Sequence, residues 1–181
     1  MSVGAQFVLA RGISSTVIQL AGGGTKTLGF SHVDIVIPPK WLLPEDGIEA
    51  NKPGLLGARS DSIGGKPPGV QIRPWDYGKS TWIRQVYMEL ESTPAQEAAF
   101  FAYAKDQIGK PYDKLAIIAF FIARNWRDQD AWFCDELLLA CTEQAGLCPE
   151  LYLPVNKFNP TTAAAIWSAI GAKRTNMKES A

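Results

Sequence analysis

Histidine occurs once in these 181 residues, at position 32, and net charge of either sign is missing, because 18 lysines and arginines balance 18 aspartates and glutamates. A balanced charge removes the basic face that would advertise a nucleic acid or an anionic membrane as partner. A single histidine and the lack of any CxxC pair leave too few nitrogen and sulfur donors for a metal site, so none is expected. Cysteine is scarce too: Cys134, Cys141 and Cys148 are odd in number, spaced by sevens and confined to the last third, which excludes a disulfide framework and fits a reducing compartment. The longest apolar run, Leu115 to Ala123, is about half the ~20 residues of a membrane-spanning helix, so no transmembrane segment is expected. AGGGTKT (21–27) has no Gly-Lys pair followed by Ser or Thr, so it is a turn and not a phosphate loop, and nothing else in the chain calls for a cofactor. The first residues, MSVGAQFVLARGISS, show no basic region followed by an apolar run and a cleavage site, so a cytoplasmic start is expected.

What is present is 46% hydrophobic residues in a length that suits one domain, 1–181, with a frayed polar tail over 172–181. Residues 14–24 predict a short helix, and FSHVDIVIP (30–38) a strand. LLGARS (55–60), GVQIRP (69–74) and TWIRQVYMEL (81–90) predict three more strands of a small antiparallel sheet. Between Pro38 and Gly69 the density of proline and glycine points to a long loop able to serve as wall or lid of a cleft. The period then changes. Thr93, Pro94 and Gln96 form a capping box at the head of a helix that Gly109 and Pro111 end. Further helices are expected over 113–126, over WFCDELLLACTEQAG (132–146) and over 159–171. The class is therefore α+β.

The chemistry-bearing residues are Cys134, at the start of the third of those helices, and His32, at the entrance of the first strand. A thiolate is the nucleophilic form of cysteine, and the unpaired N–H groups of a helix N-terminus or a nearby imidazolium lower a thiol's pKa. Histidine is the side chain suited to accept and return a proton near neutrality. Each residue has a plainer reading: a buried small hydrophobe for Cys134 and a hydrogen-bonded strand end for His32. Cys141, among core leucines, and Cys148, after Gly146, read as structural.

The ordered set FSHVDIV, GKPYD (109–113) and WFCDEL (132–137) resembles the permuted papain-like amidases of the YiiX and YaeF type, relatives of the NlpC-type cell-wall peptidases. The family's Gly-x-Pro-Tyr matches Gly109, Pro111 and Tyr112, and its Cys-Ser-Glu-Leu matches Cys134, Asp135, Glu136 and Leu137, with Asp replacing Ser. The resemblance implies a circularly permuted papain-like fold, with a sheet packed on helices and the nucleophile at a helix N-terminus. Cys134 would be nucleophile and His32 general base and acid. Tyr112 would lie near the site, as a packing residue or as a hydroxyl on the developing oxyanion. The family's third polar residue, which orients the imidazole, precedes an alanine on the next strand. Aligning Ala58 with that alanine leaves Gly57 at the polar position, so Ser60, Asp61, Arg59 or a backbone carbonyl are the candidates for the role.

These readings imply a thiol hydrolase, an amidase, peptidase or acyl-ester hydrolase, acting on a peptide, a peptidoglycan fragment or a lipid acyl group. A phage or prophage product would fit peptidoglycan as substrate. The rival is a non-catalytic peptide- or lipid-binding module on the same scaffold. A second rival is an assembly component, in which Trp41, Trp75 and Trp82 would be contact residues. No sequence feature sets the oligomeric state.

Overall fold

The computed structural model describes residues 1–11, 29–113, 131–149 and 159–175. Six strands form one antiparallel sheet: β1 (Ser2–Ala10), β2 (His32–Ile37), β3 (Gly54–Arg59), β4 (Gly69–Pro74), β5 (Trp82–Glu91) and β6 (Lys173–Thr175), in the order β4-β3-β2-β1-β5-β6. Three α-helices are described: α1 (Pro94–Asp106), α2 (Cys134–Gln144) and α3 (Pro160–Ala169). The expected helices over 14–24 and 113–126, and the apolar run at 115–123, lie outside the described residues apart from Asp113.

The centre of the sheet is a strand that residue alternation does not announce. β1 pairs with β2 on one side, Val8 opposite His32, and with β5 on the other, Phe7 opposite Val86. Val3 to Ala10 are all buried, because both faces of this strand are covered. Alternation along β1 and β2 sends Val3, Ala5, Phe7, Val33, Ile35 and Ile37 into one core with α1, α2 and α3. His32 and Asp34 belong to the alternate set, on the opposite face of β2. Phe100, Phe101, Leu137, Leu138 and Trp167 are the large helical contributions to the core, each at most 1% exposed. Full burial of a side chain of this kind contributes about 1.5–3 kcal/mol.

α1 begins as expected: the Thr93 hydroxyl accepts from the Gln96 N–H at 3.3 Å and Gln96 Oε1 accepts from the Thr93 N–H at 3.0 Å. Asn159 caps α3 by accepting from the Thr161 and Thr162 N–H groups. The segment from Pro38 to Gly69 holds the strand expected at 55–60, β3, paired with both β2 and β4, and before it 3-10 turns at Pro39–Trp41 and Pro44–Asp46. One expectation needs correction. The tail is not frayed directly after Gly171, since Lys173–Thr175 pair with Glu89–Tyr87 of β5; complementary edge pairing outweighs the polarity of those residues.

The tryptophans proposed as external contacts pack within the chain. Trp41 lies on Phe101 and donates its indole N–H to Glu97, Trp75 meets Tyr87, and Trp82 meets Tyr77.

Candidate active site

Two elements converge at the site. β2 supplies His32 at its first residue, and α2, which packs on β2 and β3, supplies Cys134 as its own first residue. The helix is held at this end by Glu136, whose Oε2 accepts from the Phe133 N–H at 3.1 Å. Its approach is fixed by the GKPYD segment. Lys110 O accepts from the Val70 N–H and the Gly109 N–H donates to Val70 O, both at 2.9 Å, so the segment is pinned to β4. Trp132 N–H donates to Pro111 O and Asp113 N–H to Trp132 O, so the same segment runs beside the residues leading into α2. Gly69 carries φ 103° where Lys110 O presses on it, and a side chain there would meet that carbonyl.

The thiol of Cys134 is buried, 3% exposed, and the N–H groups of Val33 and Asp135 reach it. Val33 is the residue after His32, so the helix mouth abuts the strand entrance. The negative charge of Asp34 is felt at the thiol as well.

His32 is held by Asp34, which is not among the expected orienting residues. Its Nε2 lies 2.9 Å from Asp34 Oδ1, two residues along the same strand. Tyr77, in the turn between β4 and β5, donates its hydroxyl to Asp34 Oδ2 at 2.7 Å and stands 3.2 Å from His32 Nε2. Gly57 is the reason Asp34 fits, since a Cβ placed on Gly57 would run into Asp34 Oδ1. Gly57, without a side chain at the expected orienting position, makes room for an acid on the neighbouring strand.

Arginines brace this network from outside. Arg59 Nη1 donates to the Tyr77 hydroxyl at 3.3 Å, and the guanidinium lies 5.4 Å from the Tyr77 ring centroid. Arg73, fully buried, donates to Gly57 O at 2.9 Å and Pro67 O at 3.1 Å, and its guanidinium lies 5.7 Å from the same ring.

Of the residues proposed to orient the imidazole, Ser60 is exposed and Asp61 takes a different partner. The Asp61 carboxylate receives Arg59 Nε at 2.8 Å and Nη2 at 3.0 Å, and so steadies the arginine next to Tyr77 rather than the imidazole itself. Tyr112 is beside the helix mouth: its ring packs at a tilt against Phe133, centroids 5.5 Å apart, and burial, then Cys134 and Asp135, push its hydroxyl pKa up. Cys141 is buried in the core, as expected, and Cys148 is partly exposed.

Charge states follow from these surroundings. Burial pushes the His32 pKa below its ordinary value, against the pull of Asp34, so the ring is neutral at pH 7. Burial would raise Asp34, but the charge and hydrogen bond of His32, the Tyr77 hydroxyl and Arg59 together hold it below the usual carboxylate value. Cys134 departs from expectation. Burial, then Asp135 and Asp34, push its thiol pKa well up, outweighing the two backbone N–H groups at the helix mouth. The resting pair is thus a thiol and a neutral imidazole, not a thiolate and an imidazolium.

No family model matches the chain, and no curated protein does. Among solved structures, the metalloprotein yiiX from Escherichia coli O157:H7 matches with a TM-score of 0.52 at 20% identity, over 80% of this chain and 66% of that one. The fold is YiiX-like, and this chain spans about two thirds of that protein's length. Among the described residues no group of three or more His, Cys, Asp or Glu side chains is arranged to hold a metal ion. Among the described residues no helix is long and apolar enough to cross a membrane.

Proposed function

We propose that the chain is a cysteine hydrolase of permuted papain-like, NlpC-related type, cleaving an amide or ester by acyl transfer. The observation that carries the reading is the Asp34–His32 bond beside a helix that opens with Cys134. It supplies an orienting acid where Gly57 leaves none. With Nε2–H directed at Asp34, the Nδ1 lone pair is left to act as base; the reading has it take the Cys134 proton around the start of β2, where the Val33 N–H reaches the thiol, as sulfur attacks the carbonyl carbon. The tetrahedral oxyanion is received by backbone N–H at the helix mouth. The imidazolium then gives its proton to the leaving amine or alcohol, and water, deprotonated by the same nitrogen, releases the acid and restores the thiol. Because thiol and imidazole start neutral, proton transfer accompanies attack. Peptide, peptidoglycan-type amide and lipid acyl ester are the substrate classes the family resemblance offers.

The test is turnover of p-nitrophenyl esters and of peptidoglycan fragments by the wild type, Cys134→Ala and His32→Ala. The reading expects both variants to lose activity by about a thousandfold or more. Turnover that survives either substitution contradicts it.

One observation favours a second reading. Cys134 and His32 are 3% and 7% exposed, and the thiol is held protonated, as in a scaffold that binds a peptide or acyl chain without cleaving it. Saturable binding of the same fragments, equal in wild type and Cys134→Ala and without product, would favour the binding module.

A further inference from the structure

The residue after Cys134 is a buried acid. Asp135 is 0% exposed, its Oδ1 lies 3.9 Å from Cys134 Sγ, and its Oδ2 has no hydrogen-bond partner. Among the described residues no lysine, arginine or histidine pairs with its carboxyl. The groups that face it and the thiol are of one kind. Glu136 follows on α2, Asp34 acts from β2, and the Tyr112 hydroxyl comes from the segment beside the helix mouth. The family resemblance places a serine at this position, so the acid is a feature of this chain.

We propose that Asp135 is a positioning residue that keeps Cys134 a thiol: its carboxyl and the sulfur hold one proton between them, and the second proton must leave against an adjacent buried negative charge. Two groups this close titrate as a pair. The carboxyl ionises first, and each further pH step toward the thiolate meets like-charge repulsion that solvent does not screen. Burial and Glu136 push the Asp135 pKa well up, the contact with Cys134 pulls it down, and the Asp135 charge in turn raises the thiol, which sets this order. The consequence is a nucleophile that stays quiet toward adventitious electrophiles near neutrality. It reacts only when a bound carbonyl and His32 draw off its proton together. That last step rests on the hydrolase reading; the shared proton does not.

The test measures alkylation of the intact protein by iodoacetamide from pH 6 to 10, with mass spectrometry locating the label and Cys148 serving as internal reference. Asp135→Asn keeps the shape and removes the charge, while Asp135→Ser installs the family's residue. Both should move the Cys134 profile to lower pH and accelerate labelling at pH 8 about tenfold or more, the equivalent of one pKa unit. Cys148 should not change. Circular dichroism identifies whichever variant folds, and one folded variant is enough. A Cys134 profile within twofold of wild type in a folded variant overturns the proposal. The hydrolase reading fails separately, through turnover that survives Cys134→Ala or His32→Ala.

Discussion

Asp34 and Asp135 are both buried aspartates, 1% and 0% exposed, on either side of one site, yet their carboxyls are driven in opposite directions. Burial pushes both upward. Asp34 has answers to it: the His32 ring, the Tyr77 hydroxyl at 2.7 Å and the field of Arg59 favour its charged form. Asp135 has an acidic neighbour, one unpartnered oxygen and a weak sulfur contact. The difference teaches that donors, not depth, decide whether a buried acid is a carboxylate, and here it assigns different tasks to the two. In the reading proposed above, the strand side holds a base in one orientation, while the helix side keeps a thiol protonated.

The comparison can be broken most sharply at Asp34. Asp34→Ala should lower hydrolase turnover about a thousandfold while leaving Cys134 in place, because a base without its orienting acid loses tautomer and direction. Turnover within tenfold of wild type would show that another group holds the ring.

Gly57→Ala attacks the same acid through space. The added methyl group runs into Asp34 Oδ1, so the variant should lose about 1–3 kcal/mol in urea unfolding, as overpacked sites do, together with most turnover.

Tyr77→Phe removes one charge-assisted donor. It should cost about 1.5–3 kcal/mol of stability and lower turnover roughly tenfold.

The two acids should also mark opposite ends of a stability–pH curve. Asp34, with its folded pKa lowered, contributes stability that is present above the ordinary value near 4 and is lost as pH falls through the folded value. Asp135, with its folded pKa raised, contributes stability that is full below about 4 and is lost as pH rises through the folded value. Urea midpoints across pH should therefore flatten on the acid limb in Asp34→Asn and on the alkaline limb in Asp135→Asn.

The smallest effect belongs to Asp61→Ala. Its side chain is 51% exposed and its pairing with Arg59 is solvent-screened, so stability should change by less than about 1 kcal/mol and turnover by less than about threefold.

Much of this was legible in the chain. The capping box at Thr93 and the period-two pattern of 69–74 and 81–90 specify their elements locally, so α1, β4 and β5 lie close to where they are expected. β1 escaped because a central strand covered on both faces has no alternation to display. β6 escaped because three polar residues become a strand only against the edge of β5. Cys134 at a helix start and His32 at a strand start were legible by type and position. Asp34 carried a signal that was available: a charged residue two places from the only histidine in an otherwise apolar strand shares its face. Tyr77 carried none, because its place beside Asp34 depends on how the turn after β4 folds back over the sheet.

The central claim is that His32 is a neutral base oriented by Asp34. With one histidine in the chain, its ring nitrogens can be observed without ambiguity by NMR of 15N-labelled protein titrated from pH 4 to 9. The account predicts a ring that is uncharged at pH 7, protonated on Nε2 with Nδ1 bare, and titrating below 6.5, with Asp34→Asn abolishing the tautomer preference. An imidazolium that persists above pH 7, or a ring protonated on Nδ1, would contradict it.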